Sequence, residues 1–222
     1  MSPVARIRLD ALRDNAGRMP LADAVLDVRW DAWGHGAAAV VAALRPLGLA
    51  TVRADPPAVA HLASSGVRAV DAPVSGDDVL DMRKLFGLSE SCTPVMRLSG
   101  SVLSTKYLRR GEGVSYGYRY RAPADTRVAL VSGGYGQGVV RALGGAVAVS
   151  VAGERHPILG RVAMDVCVID IGDANVGRGE TVWFFGDEAE GHPPLRDWSR
   201  VTGLDVAELA AAVGSHTERI VE

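Results

Sequence analysis

The sequence predicts an α/β part with parallel strands over residues 1–90 and an all-β part over residues 91–222. Three observations predict it. Apolar strand-like runs alternate with helical patterns up to residue 88, the grammar of a parallel sheet. From Cys92 onward the runs are short, strand-like and separated by glycine clusters, the grammar of an all-β domain. And 222 residues suffice for one large domain or two modest ones, each with its own core.

The elements follow in order. Strands are expected over 24–30, 50–53 and 67–72, and helices over 36–44, 58–64 and 77–86. The strand ends Trp30-Asp31 and Ala54-Asp55 lead into loops on the carboxyl side of the sheet, where α/β proteins place their sites. Later strands are expected over 127–131, 146–151 and 166–171, and amphipathic helices over 195–200 and 206–213. The division falls near Ser89-Glu90-Ser91.

Composition excludes several classes. Hydrophobic residues make up 48%, charged residues 23%, and the formal charge is −2, so nothing favours nucleic acid or an anionic membrane. The longest apolar runs, such as 37–44, are too short to cross a bilayer, and the N-terminus lacks a signal peptide's apolar centre. A cytoplasmic location is the expectation. Cys92 and Cys167 stand far apart with no metal-ligand spacing, so no metal site is expected and both read as buried thiols.

One stretch is unusually specific: Val28-Arg29-Trp30-Asp31-Ala32-Trp33-Gly34-His35-Gly36. It resembles the cofactor-lysine motif of the alanine racemase family, with Arg29 where the family has the lysine that binds pyridoxal phosphate (PLP). The resemblance continues in ordered blocks: Pro94-Val95-Met96-Arg97-Leu98, Gly111-Glu112-Gly113-Val114-Ser115-Tyr116-Gly117, Gly134-Tyr135-Gly136-Gln137-Gly138 and Pro157 to Asp165. Residues 5–15 resemble the family's opening helix, and Leu85-Phe86-Gly87-Leu88-Ser89 resembles the segment just before its β domain. The implied fold is a truncated β/α barrel remnant followed by an alanine racemase C-terminal-like β domain. A complete (β/α)₈ barrel needs roughly 250 residues, so most of its middle and later units are missing.

The resemblance assigns roles residue by residue. Tyr116 stands where the family keeps the tyrosine that moves the substrate's α-proton, and Met164-Asp165 where its loop receives the substrate carboxylate. A phenol titrates near 10 and serves as a base only in a tuned site. Arg29 marks a degenerate cofactor position, because a guanidinium stays protonated and forms no Schiff base. The chain has two lysines, Lys84 and Lys106, neither in a motif position. Trp30, Trp33, His35 and Tyr135 are pocket candidates, with the two tryptophans expected to fill space the cofactor vacated and His35 to cap or pack. Leu80 falls where the family has an arginine facing the cofactor ring, although a small shift would bring in Arg83, and Val206-Ala207-Glu208 replaces the segment carrying the phosphate tyrosine.

In the family the barrel of one subunit is completed by the β domain of the other. The resemblance therefore implies a dimeric or partner subunit related to D-alanine or amino-acid metabolism. It would pair with itself or with a full-length alanine-racemase-like protein, without canonical PLP-dependent racemisation. Two other readings stay open: an active racemase or epimerase holding PLP noncovalently or not at all, and a small amino-acid or phosphate-ligand binding protein using Arg29. No cofactor is expected otherwise. Unpaired parallel strands with apolar faces are expected to drive association.

Overall fold

The computed structural model describes residues 2–90 and 92–222, and of Asp77 and Tyr116 only the backbone. Ser91, at the expected division, lies outside the described residues. By contact the chain divides into Ile7–Met96 with Ile220–Glu222, and Arg97–Arg219 with Met1–Arg6.

The residues opening the first stretch are extended, not helical: β1 is Val4–Ile7, and the helix α1 covers Leu9–Ala16. Alternating burial along Val-Ala-Arg-Ile fits a strand with one face on a core. The sheet of the 7–96 unit is parallel, with β2 (Val25–Asp27), β3 (Thr51–Arg53) and β4 (Arg68–Val70) side by side. Between β2 and β3 lie α2 (Arg29–Trp33) and α3 (Ala37–Leu44), and between β3 and β4 lies α4 (Pro56–Ser64). The expected strand over 24–30 thus stops at Asp27, because Trp30 to Trp33 take left-handed backbone angles.

The registers Val25↔Thr51↔Arg68 and Asp27↔Arg53↔Val70 place alternate side chains on opposite faces. Leu26 and Val52 are fully buried on one face. The other carries Val25, Asp27, Thr51, Arg53, Arg68 and Val70, of which only Asp27 is buried. This face is mixed rather than apolar as expected, with three of its six residues charged.

The expected helix over 77–86 is interrupted. Gly76–Asp78 forms a 3₁₀ turn, Val79 then bridges Val25 in parallel, and Leu80 donates its N–H to Val25 at 3.0 Å. Only α5 (Met82–Leu85) is helical, started by Asp81, whose carboxylate accepts from the Arg83 and Lys84 amides. Leu80 is therefore a buried core residue. Asn15 ties the end of this unit together, donating to the Leu85 and Thr93 carbonyls at 3.1 and 2.9 Å.

The 97–219 unit is built on a closed antiparallel barrel. Its strands are β5 (Met96–Leu108), β8 (Thr126–Ser132), β9 (Ala148–Val151), β10 (Glu154–Leu159), β11 (Val166–Asp170) and β12 (Thr181–Phe185). Around the barrel the order is β5, β8, β11, β10, β9, β12, and β12 pairs back to β5. Closure leaves these six strands without a free edge. A small hairpin of β6 (Gly113–Val114) and β7 (Tyr120–Arg121) projects between β5 and β8, and β13 (Glu218–Val221) ends the chain. Inward residues Leu98, Val131, Val149, Ile158, Ile169 and Phe184 are fully buried.

Two helices follow, α6 (Arg196–Thr202) and α7 (Val206–His216). Trp198 of α6 is buried edge-on against Phe185. Asp205 and Glu208 form a reciprocal capping box at the start of α7. Cys167 is buried and its thiol is pushed up to about 12 by that burial, whereas Cys92 is half-buried, not buried as expected. Among the described residues no helix is long and apolar enough to cross a membrane, and no group of three or more His, Cys, Asp or Glu could hold a metal ion.

Candidate functional site

Two clusters gather the residues singled out from the sequence. The first lies at the carboxyl ends of β2 and β3. Trp30, Asp31, Ala32 and Trp33 have φ between 54° and 55°, a left-handed helical turn made without glycine. Left-handed helix costs L-residues about 1–2 kcal/mol each, so the surroundings must impose it. The Ala32 amide donates to Val28 at 2.8 Å, Gly36 to Asp31 at 2.9 Å, and the Trp30 amide to the Asp55 carboxylate at 2.7 Å. The Asp31 carboxylate accepts from the Ala37 amide at 2.7 Å, fastening the turn to α3. His35 is fully buried, stacks on Phe86 with ring centroids 4.0 Å apart, and lies through Nδ1 3.0 Å from the Ala32 carbonyl. Trp33 meets Phe86 edge-on at 6.0 Å. His35 and Trp33 brace the turn. Trp30 is 73% exposed and fills no vacated space.

Arg29 stands just before the turn. Its Nε lies 2.9 and 3.1 Å from the two Asp27 carboxylate oxygens, its Nη2 lies 2.6 Å from one of them, and its amide donates to the same group at 3.2 Å. Arg53, opposite in register, approaches Asp27 at 3.8 Å. Hydrogen bonding to Asp27 pushes the guanidinium even further above its usual range, so Arg29 stays a cation. Asp27 and Arg53 were not singled out from the sequence. Arg29 lies beyond the end of β2, and Arg53 meets Asp27 only through the register of the sheet, so no pattern along the sequence marked them.

The second cluster lies on the loops of the barrel unit. Tyr116 sits in a 3₁₀ turn flanked by positive-φ residues Ser115, Gly117 and Tyr118; its side chain lies outside what the structure describes. Ser115 Oγ accepts from the Arg161 amide at 3.1 Å. Gly160 permits this approach, since a Cβ there would meet Ser115 Oγ at 1.9 Å. Met164 and Asp165, in the same connection between β10 and β11, are both exposed and are laced to the Gly134 loop. Gly133, Tyr135 and Gly136 amides donate to the Asp165, Ala163 and Met164 carbonyls at 2.8, 2.9 and 2.9 Å. Gln137 Nε2 donates to the Asp165 carboxylate at 3.1 Å, and its Oε1 accepts from the Gly134 amide at 3.0 Å. Gly134 is required because a Cβ would lie 2.2 Å from the Met164 oxygen. Among the described residues nothing accepts from the Met164 N–H.

The loop of Tyr116 and the loop of Met164 are thus anchored on one connection, residues 160–165. Beside it Arg141, Ala142, Gly144 and Arg161 line an open groove of about 590 Å³. Arg141 lies over the Tyr135 ring, 5.7 Å from its centroid. Tyr135 is 41% exposed. The two arginines were missed in the sequence, although Arg161 lies inside a matching block.

Residues 95–221 match the family model "Alanine racemase, C-terminal domain", more than half of the chain. The chain belongs to this family. The alanine racemase of Thermobifida fusca is 36% identical over 171 residues, covering 74% of this chain and 46% of that protein. That of Mycobacterium tuberculosis is 36% identical over 154 residues, covering 65% and 40%. The chain therefore spans less than half the length of these relatives. In fold it is similar to the alanine racemase of E. faecalis, with TM-score 0.83, 17% identity and coverage of 98% of this chain and 97% of that one. It is similar also to the Bartonella henselae alanine racemase solved with covalently bound pyridoxal phosphate, with TM-score 0.74, 15% identity and full coverage of both.

A covalently held PLP does not fit the residues present. Arg29 offers no free amine and its guanidinium is already engaged by Asp27. Lys84 is exposed on α5 and paired with Asp81, and Lys106 is exposed on β5. At the start of α7, where the resemblance expects the phosphate tyrosine, amides are capped by the carboxylates of Asp205 and Glu208, which repel a phosphate.

Proposed function

We propose that this alanine racemase family member is a non-catalytic, racemase-like subunit. It acts in D-alanine or amino-acid metabolism by pairing with a second copy or with a full-length alanine-racemase-like protein. The observation that carries this is the bidentate Asp27–Arg29 pair, at the position that the resemblance gives to the cofactor lysine. In contrast, the loops bearing Tyr116 and Met164 are built and anchored on one connection. A chain that keeps the part donated to a neighbour and lacks the part that receives is suited to complete or occlude a partner's site. Residues 1–90 are read as the remnant of a β/α barrel and 91–222 as the donated domain. Tyr116, Met164 and Asp165 are its contact residues toward a small amino acid.

The test has two arms. Wild-type protein titrated with PLP, reduced with borohydride and weighed intact is expected to carry no adduct at residues 29, 84 or 106 beyond a denatured control. Sedimentation is expected to show self-association, or co-migration with a full-length alanine racemase. A trappable site-specific adduct, or a monomer that binds no racemase, refutes the proposal.

A further inference from the structure

The engaged arginine raises the question of what a lysine at the same position could do. We propose that Asp27 is a second, independent block on position 29: its buried carboxylate is a built-in counter-ion that keeps any basic group there charged. This rests on the reading that position 29 has lost its amine chemistry.

Three observations carry the inference. Asp27 ends β2, and its side chain is only 11% exposed, so its charge is little screened by water. Its carboxylate is arranged toward position 29 rather than solvent, accepting from the Arg29 amide as well as from the guanidinium. The register of the sheet fixes it there, since Leu26 on one side and Val28 on the other are buried. The charged groups facing position 29 are Asp27 from β2, Arg53 from β3, and Asp55 just before α4. Asp55 is occupied by the Trp30 amide. Arg53 opposes Asp27, yet it reaches that carboxylate only at 3.8 Å, against 2.6 Å for Arg29. The near contact dominates. An ammonium placed by Arg29→Lys within reach of this carboxylate is therefore held protonated, and a protonated amine attacks no carbonyl.

Lysine replacement alone should then fail to make a nucleophile, and replacement of both residues should succeed. The test compares Arg29→Lys with Arg29→Lys/Asp27→Asn, using Asp27→Ser in place of Asn if the double variant melts early. Each protein, labelled with ¹³C-lysine, has one lysine resonance more than the two of the natural chain. In the single variant the signal of the introduced lysine should titrate at higher pH. At pH 8 its free-amine fraction should be at least about tenfold below that of the double variant. The rate of borohydride-trapped labelling by PLP at position 29 should differ by the same factor, with Lys84 and Lys106 as internal references. Equal titration of the introduced lysine in the two proteins overturns the inference, as does equal labelling. Failure of the function proposal is separate, since it is read from adduct formation and association of the wild type.

Discussion

Gly134→Ala tests directly how the Met164 loop is held. The new methyl carbon would lie 2.2 Å from the Met164 oxygen, 2.3 Å from its carbonyl carbon and 2.4 Å from the Ala163 oxygen, all backbone atoms. Non-bonded carbon contacts are comfortable near 3.5 Å, so the two loops must separate by about 1 Å. Three backbone hydrogen bonds of 2.8–2.9 Å join those loops, each worth about 1 kcal/mol net. Overpacking at a backbone contact costs about 1–3 kcal/mol. Part of the strain will be relieved by stretching rather than breaking the bonds, which gives a destabilisation of about 2–4 kcal/mol. For a chain of this size that lowers the melting midpoint by roughly 5–15 °C. Gly145→Ala is the control: its φ is +80° with nothing within 4 Å of an added Cβ, so its cost is the backbone conformation alone, about 1–2 kcal/mol. Both variants are compared with wild type by calorimetry and by amide chemical shifts of Tyr135 and Met164. If Gly134→Ala melts no lower than Gly145→Ala, or leaves those shifts in place, the loop contact is not what anchors Met164.

Phe86→Ala removes the ring on which His35 stacks and should cost about 3–5 kcal/mol, with the Trp33 fluorescence shifted toward that of an exposed indole; an unchanged melt would remove Phe86 as the brace of the left-handed turn. Iodoacetamide at pH 8 should label Cys92 in the native protein, and Cys167 only after denaturation. The folded Cys167 thiol, at about 12 against an ordinary 9.0, holds its proton when the unfolded chain has lost it. Stability from this group is therefore complete below pH 9 and falls as pH rises toward 12, a slope that Cys167→Ala should reduce in alkaline urea melts. Asp205→Ala opens the capping box of α7 and should cost about 1 kcal/mol by urea titration, unless another group takes over the freed amides.

Much of the architecture could be read from residue order. The alternation of apolar strands and helical runs located β2, β3, β4, α3 and α4, because parallel strands need crossover helices of that length. The long strand β5 was not found. Its sequence Met-Arg-Leu-Ser-Gly-Ser-Val-Leu-Ser-Thr-Lys-Tyr-Leu is too polar in its second half to read as strand; there four consecutive residues, 104–107, are exposed, and register shifts near Val102/Ser104 break the alternation. Residues 77–86 read as helix from composition, but a place beside β2 drew Val79 into the sheet, a gain that depends on a strand distant in sequence.

The residue at position 29 was legible before any coordinates. Nothing in folding can supply an amine at position 29 to a chain whose two lysines lie elsewhere, and family membership rested on ordered blocks of residues that survive without coordinates. How that position is filled depends on the fold around it. Whether Arg29 reaches out to an anion or folds back on Asp27 depends on where β2 ends, on the left-handed turn that follows, and on Arg53 arriving from the next strand. Charges a few ångströms apart with little water between them settle that choice, and only the fold sets their spacing.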